Sequence, residues 1–128
     1  MGNIATSASA ARRLVDGFDP ALIGVIHDAG NMVYEGFENY RMGIEIFGEY
    51  LSHVHIKNAR WLRVQEGGAA RWQAEPSPIE EGAADWSQLL TDLKASGYNG
   101  WLSFEDFSNP AISEEALAQQ LAYVRSLL

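Results

Sequence analysis

Cysteine is absent from this chain of 128 residues. Its absence excludes disulfides and thiolate metal sites, and fits a reducing cytoplasm. Basic residues are scarce too: nine Lys and Arg stand against 17 Asp and Glu, for a net charge of −8. Phosphate backbones attract basic surfaces, so nucleic acid is disfavoured as a partner. No apolar run reaches the roughly 18 residues of a membrane span, and no basic region leads into an apolar stretch at the N-terminus, so neither a membrane anchor nor a secretory signal is expected. Met1-Gly2-Asn3-Ile4-Ala5-Thr6 fits the N-myristoylation pattern. Without a polybasic second signal it reads as a chance match.

What is present is an ordinary globular composition, 47% hydrophobic and 20% charged, in a length that suits one domain over 1–128 and is too short for two. Strands and helices alternate. Ser7 to Val15 predicts a helix, stopped by Gly17-Phe-Asp-Pro20. Leu22 to His27 predicts a buried strand and Asn39 to Gly48 a helix with Phe37, Tyr40, Ile44 and Phe47 inward. Leu51 to Ile56 predicts the second strand. Residues 59–82 are an excursion: Trp61 to Gln65 and Ala70 to Gln73 flank Glu66-Gly67-Gly68 as a hairpin, and Pro76 and Pro78 mark a loop. Asp85 caps the next helix, with Gln88 three residues on and Trp86, Leu89, Leu90 and Leu93 as its stripe; Gly97 ends it. Gly100 to Phe104 predicts the third strand. Ser113 caps a last helix with Leu117, Leu121, Val124 and Leu128 as its apolar face. The order implies an α/β fold with a parallel sheet and outer helices. Three strands alone would leave bare edges.

The chemistry gathers at strand ends. In Ser52 to Lys57 the polar residues His53, His55 and Lys57 alternate with Val54 and Ile56, which places two imidazoles and an ammonium on one face. Asp28 and Glu105 end the other two strand-like runs, where α/β proteins collect their sites. Each has a plainer reading. Asp28 could cap a turn before Gly30, His55 could be a satisfied interior histidine, and Glu105 could form a structural ion pair. His53, one layer deeper, could contact substrate or fill the core. Lys57 could orient a substrate or snorkel to solvent. Trp61, Trp72 and Trp86 read as core and hairpin packing, although Trp61 lies close enough in sequence to His55 to form a wall.

Leu22-Ile-Gly-Val-Ile-His-Asp-Ala-Gly-Asn31, His53-Val-His-Ile-Lys-Asn58, Glu81-Gly82 leading to Asp85, and Gly97-Tyr-Asn-Gly-Trp-Leu-Ser-Phe-Glu105 resemble successive motifs of the sugar phosphate isomerase/epimerase family, the xylose isomerase-like TIM barrels. The resemblance covers nearly the whole chain, in the family's order and spacing. It implies the C-terminal part of a (β/α)₈ barrel, with the three strands as the sixth to eighth. It also implies one divalent ion (Mn²⁺, Mg²⁺, Co²⁺ or Zn²⁺) with Asp28, His55 and Glu105 as ligands and no organic cofactor. Glu105 would also act as catalytic base on a sugar substrate, through an enediolate-like intermediate. His53, Lys57, Asn31 and Trp61 are the expected substrate contacts. A second Glu of the family would lie on a fifth strand ahead of Met1. The expectation is therefore an incomplete, inactive portion needing an N-terminal barrel half, or alternatively a non-catalytic half-barrel that self-associates and binds metal or a small polar ligand. Two departures bear on substrate contact: Asn31 stands where many members carry His, and the common H-x-K-D ending is here His55-Ile-Lys57-Asn58. A DNA-repair endonuclease role on the same barrel is disfavoured by the charge.

Overall fold

Ser7 accepts the Ala10 amide on its side chain to start α1 (Ala8–Val15), and Glu38 accepts the Ala8 amide at 2.8 Å. Two donors of the first turn that have no partner within the helix are thus satisfied. The computed structural model describes residues 4–109 and 113–128; Met1 to Asn3 of the acylation-like start lie outside them. After α1 come β1 (Val25–Asp28), α2 (Ala29–Glu35), α3 (Tyr40–Phe47), β2 (Leu51–Ile56), the hairpin strands β3 (Ala59–Glu66) and β4 (Ala69–Pro76), α4 (Trp86–Ala95), β5 (Trp101–Phe104) and α5 (Glu114–Ser126). β1, β2 and β5 form one sheet in that order with both pairs parallel, and β3 pairs antiparallel with β4. Among the described residues no helix is long and apolar enough to cross a membrane.

Period-2 alternation divides β2 as the sequence predicts. Val54 and Ile56 are buried in a cluster with Ile44, Trp86, Leu89, Leu90, Leu93 and Val124 on the helix side. Each such side chain contributes roughly 1.5–3 kcal/mol by leaving water. The opposite face is open: Ile26 is 51% and Trp101 81% exposed. The register slips between Val25 and Ile26, leaving Ser52 unpaired in β2; its hydroxyl donates to the Val25 carbonyl. The slip aligns Asp28 with His55, so the bulge sets the phase of the site.

Several expectations need correction. The first strand begins at Val25, not Leu22, because the Asp19 carbonyl accepts the amides of both Leu22 and Ile23 and bends them into a turn. α2 was not expected, and Phe37, expected inward, is 51% exposed outside α3. Leu117, Leu121 and Leu128 are exposed; α5 meets the core through Tyr123 and Val124, joined by Leu127 just past its end. Trp61 and Trp72 are exposed on the hairpin, whereas Trp86 is buried. Asp85 does cap α4, but its own amide donates to the Tyr40 hydroxyl while Gln88 turns to Asp92.

His27 points to the helix side and lies edge-on to Tyr40 and Phe47 with Nδ1 buried and unpartnered. Burial lowers its pKa below 6.5, against the opposing pull of Asp28 and Glu38. Below about pH 6.5 the unfolded chain therefore binds a proton that the folded chain resists. Stability is expected to fall as the pH drops through that window toward the folded pKa. Urea unfolding between pH 7 and pH 5 should show this slope, and His27→Phe should flatten it; an unchanged slope would assign the loss to other groups.

Candidate metal and substrate site

The carboxyl ends of three parallel strands bring Asp28, His55 and Glu105 together. Asp28 ends β1 and pairs in register with His55, which pairs in turn with Ser103 of β5. Glu105 follows β5, its amide donating to the Ile56 carbonyl at 2.9 Å. One donor atom from each of the three lies within 4.8 Å of the other two. His55 Nδ1 is 3.6 Å from Asp28 Oδ2 and 3.5 Å from Glu105 Oε2. Lys57, one layer beyond His55, places Nζ 2.7 Å from Glu105 Oε2 and 3.5 Å from Asp28 Oδ2.

Lys57 does not snorkel; it is only 5% exposed. Its stem passes under the start of α2 at Gly30, where a Cβ would lie 2.5 Å from Lys57 Cγ and 2.9 Å from its carbonyl carbon. Trp86 Nε1 donates to the Lys57 carbonyl at 3.2 Å. Burial pushes the Glu105 carboxyl up, but the hydrogen bond and charge of Lys57, aided by His55, outweigh it and hold that carboxyl below its ordinary value. Glu105 is therefore ionised near neutrality, fit to bind a cation or accept a proton. Asp28 divides its carboxylate: Oδ1 caps α2 by accepting the Asn31 amide, and Oδ2 faces His55.

The donor set tests whether a metal fits. Two carboxylates and one imidazole, with no thiolate, suit Mn²⁺, Mg²⁺, Co²⁺ or Zn²⁺. The ammonium held between the two carboxylates marks the same spot as favourable to positive charge.

The expected substrate contacts divide. His53 is on the same sheet face, bonded through Nε2 to Ser103 Oγ at 2.7 Å and edge-on to His55 at 5.3 Å. Asn31 stands in the first turn of α2, its amide on Asp28. Trp61 projects from β3 opposite Ala74. Asn58, the departure from the H-x-K-D ending, is a buried bracket: Nδ2 donates to the carbonyls of Ile79 and Ala84, and Oδ1 accepts the amides of Ala59 and Ala84. Sequence reasoning missed Phe107, whose ring lies 4.8 Å from Lys57 Nζ; nothing in the local pattern after Glu105 marks it.

The chain matches the family described as xylose isomerase-like TIM barrel over residues 1–127. Among curated proteins it is similar to the inosose dehydratase of Bacillus licheniformis, 30% identical over 109 residues that cover 79% of this chain and 36% of the relative. The inosose dehydratase of Geobacillus thermodenitrificans is 26% identical over 111 residues, with the same coverage of 79% and 36%. The chain thus spans little more than a third of these relatives. Among solved structures, a xylose isomerase domain protein from Planctomyces limnophilus superposes with TM-score 0.71 at 23% identity, covering 94% of this chain and 43% of that one. A 3-keto-D-glucoside 4-epimerase from E. coli gives TM-score 0.67 at 23% identity, covering 98% and 41%. With residues 1–127 matched to the family and the parallel strands carrying their polar residues at the carboxyl edge, the chain belongs to the xylose isomerase-like TIM-barrel family.

Proposed function

We propose that this chain supplies one metal-binding wall of a site that moves a proton next to a carbonyl on a sugar or polyol. The observation that carries the reading is the convergence of Asp28, His55 and Glu105 at the carboxyl edge of three parallel strands. A divalent ion held there would polarise a carbonyl and its neighbouring hydroxyl. Glu105, ionised and facing the same space, takes the proton from the adjacent carbon. Return of the proton to another face or carbon isomerises or epimerises the substrate, and loss of the next hydroxyl dehydrates it. The same first step therefore serves both kinds of activity named among the relatives, inosose dehydratase and sugar epimerase. Lys57, His53, Asn31 and Trp61 are the chain's candidates for holding substrate hydroxyls and closing the wall.

The reading includes further strands, as the sixth-to-eighth assignment requires. The 36% coverage of the curated relatives supports it, as do Ile26 and Trp101 exposed on the inner sheet face. The same exposed face supports a second reading, a non-catalytic half-barrel that pairs with its own kind. Calorimetric titration of the full chain with Mn²⁺ tests the metal site; one ion per chain is expected, and no binding of Mn²⁺, Mg²⁺, Co²⁺ or Zn²⁺ sinks it. Deuterium uptake from D₂O by ketohexoses or inosose, with and without a polypeptide carrying the remaining strands, separates the readings. Uptake only in the mixture supports the enzyme reading, and uptake in neither leaves the binding module.

A further inference from the structure

We propose that Lys57 is a built-in counter-cation: it holds Asp28 and Glu105 together when no metal is bound, and it weakens metal binding by competing for the same two oxygens. The inference rests on the metal-site reading above. Lys57 Nζ contacts Glu105 Oε2 at 2.7 Å and Asp28 Oδ2 at 3.5 Å, the same oxygens that face His55 Nδ1 at 3.5 and 3.6 Å. A ligated metal needs such atoms at about 2.0–2.2 Å, so binding must loosen the contact between Lys57 and Glu105.

The ammonium has little room to leave. Its stem fits beneath Gly30 where even a methyl group would collide, its carbonyl is held by Trp86, and the Phe107 ring lies 4.8 Å from Nζ. An arriving dication therefore meets a positive charge that stays nearby. Without Lys57 the Asp28 side chain, 9% exposed, would face Glu105, 35% exposed, with only an imidazole between them. Like charges so placed repel, and a buried charge that loses its partner is destabilising. Deleting the ammonium thus has two effects of opposite sign: the metal-free protein loosens and the metal is held more tightly. A lysine that merely fills space gives only the first.

The test uses wild type, Lys57→Met and Lys57→Gln. Each is titrated with Mn²⁺ by calorimetry and melted both in EDTA and in excess Mn²⁺. Both variants should melt below wild type in EDTA, bind Mn²⁺ at least about tenfold more tightly, and show a larger metal-induced rise in Tm. Such a change is modest against the Coulomb attraction available near a protein surface. A wild type that binds while neither variant binds more tightly overturns this proposal alone. A wild type that binds no Mn²⁺ overturns the metal-site reading and the proposal with it. Should Lys57→Met be unfolded in EDTA, the proposal requires Mn²⁺ to restore its fold, and failure to do so overturns it.

Discussion

Replacing His55 by alanine is expected to lower Mn²⁺ affinity by at least about a hundredfold, whereas His53→Ala should lower it by less than about tenfold. Altering a group hydrogen-bonded to a metal ligand typically costs 10–100-fold, so loss of a ligand itself should exceed that, whereas His53 bonds Ser103 and no member of the ligand set. The two histidines share a strand and a face, so their difference isolates position. His55 Nδ1 lies within 3.6 Å of both carboxylates, while His53 Nε2 is spent on the Ser103 hydroxyl. The edge-on contact between the rings, 5.3 Å apart, makes some loss reasonable for His53→Ala through the orientation of its neighbour. Calorimetry reports the affinities, and far-ultraviolet circular dichroism checks that the strand survives. Equal losses for the two variants would remove His55 from the ligand set.

Gly82→Ala is expected to destabilise the fold by about 2–4 kcal/mol, an overpacking cost with lost hydrogen bonds added. A Cβ at Gly82 would lie 1.9–2.5 Å from the amide atoms of Asn58. That side chain cannot step aside, because it is 3% exposed and joined to four backbone groups. Asn58→Ala alone orphans those groups and should cost a similar amount. Once Asn58 is gone, however, the methyl group at position 82 has space. The double variant should therefore be more stable than the sum of the singles predicts by at least about 1 kcal/mol, the coupling expected of residues in contact. Urea unfolding measures the cycle; strict additivity would show that Gly82 is constrained by something other than Asn58.

The parts of the fold visible in the sequence are those set by local periodicity. Alternation from Ser52 to Lys57 puts His53, His55 and Lys57 on one face, and the chain order makes β2 the centre of a parallel sheet. The meeting of Asp28, His55 and Glu105 follows from strand ends lying side by side. What escaped reading depends on partners far along the chain or on competition among hydrogen bonds. Leu22 and Ile23 look like strand, but the Asp19 carbonyl captures their amides. α2 is only seven residues long and contains Gly30, so its own propensity is poor; the Asp28 cap sustains it. The bracket made by Asn58 is invisible in the local sequence because its partners Ile79 and Ala84 stand 21 and 26 residues away. Trp61 and Trp72 read as core and hairpin packing, yet the hairpin leaves both at the surface.

The divided carboxylate of Asp28 has a spectroscopic consequence. One oxygen receives the Asn31 amide at 2.9 Å, and the other faces His55 and Lys57. Whatever draws electron density toward the second oxygen weakens the first as an acceptor, and a rotation that improves one contact strains the other. The Asn31 amide proton is thus a native sensor of the site. Its chemical shift and its solvent exchange rate would register events at Asp28 with no label introduced, and fraying of the first turn of α2 would accompany them.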